Sequence, residues 1–275
     1  MNKSLISMSD DEFYKTLTEE FNQPKFRVEQ LKNWLIKGAG YDEMKNIPSD
    51  LTQKLKEKYP AYSLEFEYKT TEERTQTTKY LLKTLDGILI ECVALIYDGK
   101  LSVCVSTQAG CAMGCKFCSS TVGGLIRNLS SDEMVSQLLL VSRDQGLVVR
   151  NVVLMGSGEP LNNYDNVKNF IRYICSPDTL NLGKKHITLS TCGIPGGIDK
   201  MREDKLFVNL SLSLHCAVSE IRKEIMPVEK AYPVKELFKK CCEFRKESSR
   251  RITLEYCVIE GTNDTDECAK ALFDL

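Results

Sequence analysis

Apolar runs of strand length alternate with amphipathic segments of helical length from about residue 103 onwards, and this alternation constrains the fold most. The predicted strands are 101–106, 152–155, 187–190, 207–214 and 252–259, and the predicted helices are 131–145, 165–174, 220–225 and 234–247. Strands joined through helices form right-handed βαβ units, so we expect an α/β fold with a parallel sheet, either open or curved into a partial barrel. Ligands in such folds bind beyond the carboxyl ends of the strands.

The preceding hundred residues follow a different pattern. Residues 1–60 carry apolar positions at helical spacing, which predicts an N-terminal helical module. Residues 61–100 are rich in strand formers and contain DG turns at Asp86-Gly87 and Asp98-Gly99, which predict β-hairpins. We therefore expect a helical module, a β-hairpin connector and an α/β core over 101–275.

The helical module carries a group of basic residues that fits two roles. They lie in or beside the second and third predicted helices: Lys25, Arg27, Lys32, Lys37, Lys54, Lys56 and Lys58. A solvated helix face and an RNA-binding surface that contacts phosphates explain them equally well. The net charge of −1 excludes a chain that is basic throughout, although a local nucleic-acid site needs only a patch.

The chain contains twelve cysteines but neither a signal-peptide pattern nor an apolar segment of roughly 20 residues. We therefore expect a cytoplasmic protein with no membrane association. Reducing thiol pools in that compartment favour metal or redox chemistry over disulfides. Seven of the cysteines are interpreted as small buried hydrophobic residues: Cys175, Cys192, Cys216, Cys241, Cys242, Cys257 and Cys268.

Three other cysteines form the most specific motif of the chain. The segment GCAMGCKFC follows the first core strand and places Cys111, Cys115 and Cys118 at CxxxCxxC spacing, with Phe117 before the last cysteine. Three thiolates on one tight loop suit a [4Fe-4S] cluster with one open iron, to which S-adenosylmethionine (SAM) can bind. A structural zinc site is the alternative, but such sites use four ligands, usually from two separated CxxC pairs.

The cysteine loop resembles the signature of the radical SAM superfamily, and four further motifs narrow the resemblance. In chain order the five motifs are CVSTQAGCAMGCKFCSS, NVVLMGSGEPLNN, ITLSTCG, LSLH and RKEIMP. Together they are similar to the RlmN-type adenine-C2 RNA methyltransferases, from the FRVEQLKNWL helix to about residue 265. The resemblance implies a partial (β/α) radical SAM barrel, a reducing electron-donor protein as partner, and RNA as substrate, namely 23S rRNA and in some relatives tRNA.

The resemblance also implies which residues contact SAM. The matching positions are Gly158, Glu159, Ser190, Ser213, Leu214 and His215. A carboxylate at the mouth of a strand can hold the ammonium of the methionine part, and hydroxyl, backbone and imidazole groups suit the ribose and carboxylate. Without the resemblance, the GEP sequence would be read as a turn, and His215 as a satisfied buried histidine.

Two residues before the cysteine loop bear on the type of reaction. By resemblance, Glu91 accepts the proton from the substrate carbon, and Cys104 resolves a crosslink between protein and RNA. Adenine C2 is electrophilic and resists simple methyl transfer from SAM, so the methyl group is first placed on a protein cysteine and activated by a 5'-deoxyadenosyl radical. A base and a second thiol then complete the reaction.

Relatives of this type continue beyond the position of Leu275. By resemblance, a sixth strand, an Asn-containing SAM contact and a methyl-carrying cysteine should follow, and Cys268 does not match that cysteine because it lies in an earlier helix. An incomplete gene model, a separate C-terminal fragment acting as partner and a degenerate protein are three explanations, of which the first is favoured. We expect the chain as written to bind the cluster and SAM without completing turnover.

Three other functions remain open from the sequence. A sister group methylates adenine at C8 with the same cysteine loop, and the GEP sequence, in place of GEA, favours C2. An inactive RNA-binding protein could keep the cluster as a structural element, and a zinc-stabilised RNA-binding module could use the same thiols.

Overall fold

The computed structural model describes residues 3–275. The α-helices are α1 (Asp10–Lys15), α2 (Lys25–Ile36), α3 (Ser49–Lys58), α4 (Ser131–Gln145), α5 (Tyr164–Cys175), α6 (Pro195–Glu203), α7 (Ser219–Ile225), α8 (Val234–Ser248) and α9 (Asp266–Asp274). The strands are β1 (Leu64–Glu72), β2 (Thr77–Thr84), β3 (Leu89–Tyr97), β4 (Lys100–Cys104), β5 (Gln108–Gly110), β6 (Leu125–Asn128), β7 (Val149–Leu154), β8 (Ile187–Thr191), β9 (Asn209–Ser213) and β10 (Ile252–Glu255). Within the described range, no helix combines the length and apolar character that a membrane span requires.

The chain divides into two compact units. The first contains residues 3–105, 130–150 and 170–181, and the second contains residues 106–129, 151–169 and 182–275. The first unit therefore groups the N-terminal helices with the hairpin strands. The three domains expected from the sequence are not tested by this grouping and stay a prediction.

In the first unit, β1, β2, β3 and β4 form an antiparallel sheet in chain order. The two DG turns join these strands as predicted, with Asp98 and Gly99 both at positive φ in the second hairpin. Side chains alternate across the sheet, so Tyr80, Leu82, Ala94 and Val103 are buried on one face while residues of opposite parity lie on the other. The outward face carries Tyr68, Glu91 and Cys104.

In the second unit, β7, β8, β9 and β10 are parallel, and helices lie between them in the chain. The strands are short and their inward residues are almost completely buried, as in Leu189, Leu210 and Leu212. In β8 (ITLST) and β9 (NLSLS) these apolar residues alternate with polar ones, so the buried apolar side chains lie on one face of each strand. The predicted α/β fold, with N-terminal helices and a hairpin region, is confirmed.

Three elements differ from the sequence prediction. Helix α6 was not predicted, because Pro195, Gly196 and Gly197 have the composition of a loop, yet proline is well suited to the first turn of a helix. The β5–β6 hairpin was also missed, because its strands are only three and four residues long. The last strand ends at Glu255, because Asn263 binds the backbone of the following segment at Cys257 and Ile259.

Candidate active site

The backbone of the cysteine loop is shaped by glycine. Gly110 has a φ of +75°, and a Cβ at this position would lie 2.0 Å from the carbonyl oxygen of Gly124. This close approach lets the Cys111 N–H donate to the same carbonyl at 3.0 Å. At the other end of the loop, the Thr121 hydroxyl donates to the carbonyls of Cys115 and Cys118 at 3.2 and 2.9 Å. Backbone hydrogen bonds and the Thr121 hydroxyl therefore fix the conformation of the loop.

The three motif cysteines line one cavity of about 290 Å³. Its other lining residues come from the cysteine loop, from the carboxyl ends of the parallel strands and the turns that follow them, and from the turn after α7: Met113, Phe117, Thr121, Leu154, Met155, Gly156, Gly158, Glu159, Ser190, Thr191, Cys192, Ser213, His215, Met226 and Glu255. The site thus lies at the carboxyl ends of the strands, where the βαβ pattern predicts it.

The electrostatics of Cys111 and Cys115 fit a bound metal cluster. Burial is the main cause that raises the pKa of Cys115 to about 11, and the neighbouring Cys118 and Cys111 add to it. Burial also raises the pKa of Cys111. Thiolates can exist here only if positive charge compensates them, which iron provides. Among residues 3–275, no three His, Cys, Asp or Glu side chains converge on a point suited to one metal ion. A cubane needs no such convergence, because each cysteine binds a different iron.

Glu159 is a buried carboxylate with several donors and no cation. The Leu161 N–H and the Thr191 hydroxyl donate to Oε1 at 3.0 and 2.8 Å, and the Cys192 N–H donates to Oε2 at 2.8 Å. Burial raises the pKa of Glu159, and the two backbone N–H groups oppose that rise. No Lys, Arg or His in the described part of the chain forms an ion pair with it. An ammonium group of a ligand would supply the missing positive charge.

Gly158 lets two loops approach closely beside this carboxylate. Its φ is +107°, and a Cβ would lie 2.6 Å from the Cβ of Gln108. The Gln108 amide oxygen accepts a hydrogen bond from the Glu159 N–H at 2.8 Å. The glycine of the GEP sequence is therefore required by packing against Gln108, a residue that sequence reasoning did not single out.

The other predicted SAM contacts lie at the ends of β8 and β9. Ser190 and Ser213 line the cavity, and their hydroxyls are 3.3 Å apart. Leu214 is buried and does not line the cavity, and its carbonyl accepts from the Arg222 Nε at 2.9 Å. Five of the six predicted positions, Gly158, Glu159, Ser190, Ser213 and His215, therefore meet at one cavity.

His215 is held rigidly and neutral. It has a φ of +56°, a left-handed conformation that costs about 1–3 kcal/mol for a residue other than glycine. Its Nδ1 accepts from the Cys257 N–H at 2.9 Å, so the neutral ring carries its proton on Nε2. Burial is the main cause that lowers the pKa of His215 to about 4, and the positive charge of Arg222 adds to it. The ring packs edge-on against Phe117 with centroids 4.6 Å apart.

A buried ion pair contacts the backbone at the ends of β8 and β9. Arg222 and Glu229 are fully buried, with 2.6 Å between Nη1 and Oε2. Arg222 also donates to the carbonyls of Cys192 and Ser213, at 2.8 and 3.3 Å. The RKEIMP motif marked this segment, but only the folded structure shows that its arginine organises the cavity wall.

Glu91 and Cys104 lie in the first unit, on the outward face of its sheet. Cys104 pairs with Val93 in the register of β3 and β4, so Glu91 is the diagonal neighbour of Cys104 on the same face. The Glu91 carboxylate lies 2.5 Å from the Lys79 Nζ. The structure therefore brings together the predicted proton acceptor and the predicted resolving thiol.

The basic residues of the helical module are partly neutralised. Lys32, Lys56 and Lys58 form ion pairs with Asp10, Asp42 and Glu20. The other four have no acidic partner in the described range: Lys25, Arg27, Lys37 and Lys54. The predicted phosphate-contacting role stays a prediction.

The interpretation of seven cysteines as buried is confirmed for Cys192, Cys216, Cys241 and Cys268. It is wrong for Cys242 and Cys257, which are exposed, while Cys175 is half-buried. Cys242 lies on the outer side of α8, and Cys257 lies in the loop that follows β10.

Comparison with known proteins agrees with this geometry. The model of the radical SAM superfamily matches residues 105–272. A probable dual-specificity RNA methyltransferase RlmN from Clostridioides difficile (strain 630) is 44% identical over 265 residues, which are 96% of this chain and 76% of that protein. Its counterpart from Clostridium novyi (strain NT) is 41% identical over 275 residues, covering 99% of this chain and 80% of that protein.

Among solved structures, a radical SAM methyltransferase from Sphaerobacter thermophilus superposes with a TM-score of 0.89 at 33% identity, covering 98% of this chain and 80% of that one. The match extends through both the hairpin region and the parallel strands that carry the cavity. The chain belongs to the radical SAM superfamily and, within it, to the family of the RlmN dual-specificity RNA methyltransferases.

Proposed function

We propose that this chain supplies the cluster, SAM and substrate sites of an enzyme that methylates C2 of adenine in RNA, with 23S rRNA as substrate and tRNA as a second substrate. The observation that carries the proposal is the diagonal placement of Glu91 and Cys104 on one sheet face. Cleavage of SAM alone requires neither a base nor a further thiol. Their juxtaposition supports a reaction in which a proton leaves the substrate carbon and a covalent link to the protein is resolved.

The second unit holds the cofactors in this proposal. Cys111, Cys115 and Cys118 would bind a [4Fe-4S] cluster, and Glu159 would hold the ammonium of SAM, with Ser190, Ser213 and His215 as further contacts. When bound, the cluster and SAM supply the one-electron chemistry that produces a carbon radical. The residues of the chain bind and orient these groups, and the buried position of Glu159 excludes water from the ammonium.

The first unit supplies the groups that act on the substrate. Glu91 Oε would accept the proton of adenine C2, and its pair with Lys79 keeps the carboxylate in place for that role. By resemblance to the family, the Cys104 thiolate then releases the product by forming a disulfide with the cysteine that carried the methyl group. An electron-donor protein would reduce the bound cluster. We place the reaction in the cytoplasm, where the RNA substrates are.

The decisive experiment is anaerobic reconstitution followed by product analysis. The protein should take up about four irons and four sulfides per chain, and reductant should convert SAM into 5'-deoxyadenosine. Cys115→Ala should lose both, whereas Cys242→Ala should keep both, because Cys242 is exposed and remote from the cavity lining. Stoichiometric zinc without sulfide would overturn the proposal in favour of a zinc-stabilised RNA-binding module.

Mass analysis of nucleosides then decides the position of methylation. The reaction is run on 23S rRNA and tRNA transcripts with this chain, alone and together with any polypeptide encoded downstream of the Leu275 codon. We expect 2-methyladenosine, and 8-methyladenosine would assign the chain to the sister reaction. SAM cleavage without any modified adenosine, with both polypeptides present, would refute the methyltransferase proposal.

A further inference from the structure

The outward face of the β1–β4 sheet carries a tyrosine whose ring is largely free. Tyr68 is 61% exposed, and in residues 3–275 its side chain makes no hydrogen bond, ion pair or ring contact. In the register of the sheet it lies opposite Leu81, and Leu81 lies opposite Glu91. Tyr68, Leu81 and Glu91 thus form one row across three strands. The Cα atoms of Tyr68 and Glu91 are roughly 10 Å apart, two strand spacings.

A β-bulge is what turns Tyr68 onto this face. The register of β1 and β2 shifts between Phe66 and Tyr68, so that Phe66 lies opposite the buried Leu82 while Tyr68 lies opposite Leu81. Phe66 accordingly contacts the ring of Tyr80 on the inner side, with centroids 6.2 Å apart. In a regular strand, two residues so spaced would share a face. Bulges of this kind re-aim side chains and are frequent beside active sites.

The charged groups around the row are paired with one another. Lys79 pairs with Glu91, and Lys83 lies 3.4 Å from Glu67 and 3.8 Å from Glu65. The row therefore presents an aromatic ring beside a half-buried leucine with little net charge. Such a surface suits the face of a nucleobase better than a phosphate group.

We propose that the row Tyr68–Leu81–Glu91 is a base-binding platform on which Tyr68 stacks a nucleobase next to the adenine that reaches Glu91. The proposal rests on the proposed function, which places that adenine at the Glu91 carboxylate. An adenine can expose C2 only when it is unstacked, and proteins that read single-stranded RNA replace lost base stacking with aromatic side chains. Continuity with Glu91 and Cys104 identifies RNA as the occupant of this face.

The chain offers a matched control on the same sheet. Tyr97 is 79% exposed on the same outward face, but it lies six residues from Glu91 along β3, roughly 20 Å away. A role for exposed tyrosines in general would affect both residues, whereas the platform affects Tyr68 alone.

The test measures RNA affinity of the anaerobically reconstituted protein by fluorescence anisotropy, with a fluorescein-labelled single-stranded RNA of mixed sequence and with a 23S rRNA transcript. Tyr68→Ala should raise Kd about 5- to 150-fold, the equivalent of about 1–3 kcal/mol for one stacked base. Tyr68→Phe and Tyr97→Ala should stay within about twofold of wild type. The fold increase in Kd caused by Tyr68→Ala should be equal at 50 and 200 mM salt, because base stacking releases no counterions.

The outcomes separate this inference from the function on which it rests. If wild type methylates RNA and Tyr68→Ala binds it within twofold of wild type, the platform is refuted while the function stands. Equal increases in the Kd for RNA in Tyr68→Ala and Tyr97→Ala would also refute it. A Tyr68→Ala variant that changes the oligomeric state but leaves the RNA affinity unchanged would refute it as well. If wild type neither binds nor methylates RNA, the proposed function fails first and the platform fails with it.

Discussion

Replacing Glu229 with Gln should destabilise the second unit severely, because it leaves a buried guanidinium without its counter-charge. Arg222 is fully buried and its Nη1 lies 2.6 Å from Glu229 Oε2. Glu229 is the only carboxylate paired with this guanidinium in the described chain. The substitution is nearly isosteric, so it changes the charge while leaving the packing almost unchanged.

The expected magnitude follows from this burial. Breaking a buried ion pair by removing one partner costs about 3–5 kcal/mol, since the remaining charge is neither solvated nor paired. The Ser219 hydroxyl and the Val234 N–H also donate to Glu229 Oε1, at 2.6 and 3.1 Å, while Arg222 donates to Oε2. A glutamine amide has one acceptor oxygen, so it either keeps the first two bonds and turns its NH2 group towards Arg222, or faces Arg222 with its oxygen and loses both. We therefore expect a value in the upper half of that range.

Urea unfolding followed by circular dichroism measures the effect, and α7 itself contains the control. Lys223 and Glu220 form an ion pair at 2.7 Å, but the Glu220 side chain is 81% exposed. Glu220→Gln should cost less than about 1 kcal/mol and should matter even less at high salt, whereas the cost of Glu229→Gln should not depend on salt. A loss below about 1 kcal/mol for Glu229→Gln, or equal losses in the two variants, would refute the reasoning.

Three further predictions concern the site itself. Gly110→Ala should abolish iron uptake, because the alanine Cβ would lie 2.0 Å from the Gly124 carbonyl oxygen. The control Gly123→Ala places its Cβ in open space, so this variant should take up iron and sulfide normally in the same assay. The His215 pKa, measured by NMR, should be about 4, and a titration near pH 6.5 would contradict this prediction. Between pH 4 and 6.5 the unfolded chain binds a proton at His215 that the folded chain does not. The free energy of unfolding should therefore decrease as the pH falls through that window. Glu91→Gln should abolish RNA methylation while SAM cleavage continues, and equal loss of both would remove the proposed proton-acceptor role.

The cofactor chemistry could be predicted from sequence because its signals are local. CxxxCxxC on one short loop places three thiols together whatever the rest of the chain does, and Gly110 supplies the positive φ that the loop needs. The hairpins could be predicted for the same reason, since DG turns specify their own geometry. Helix α6 could not be predicted in this way, because Pro195 and the two glycines that follow it have the local composition of a loop.

Contacts between residues distant in the chain were accessible only through the fold. Nothing local in RKEIMP shows that Arg222 reaches the carbonyls of Cys192 and Ser213, and nothing in β1 shows that a bulge turns Tyr68 to the face of Glu91. Sequence by itself determined the alternation of elements, the cysteine loop and therefore the class of chemistry, because these depend on spacing along the chain. Tertiary structure decided which side chains share a face or a buried charge, because strand register and packing set those distances.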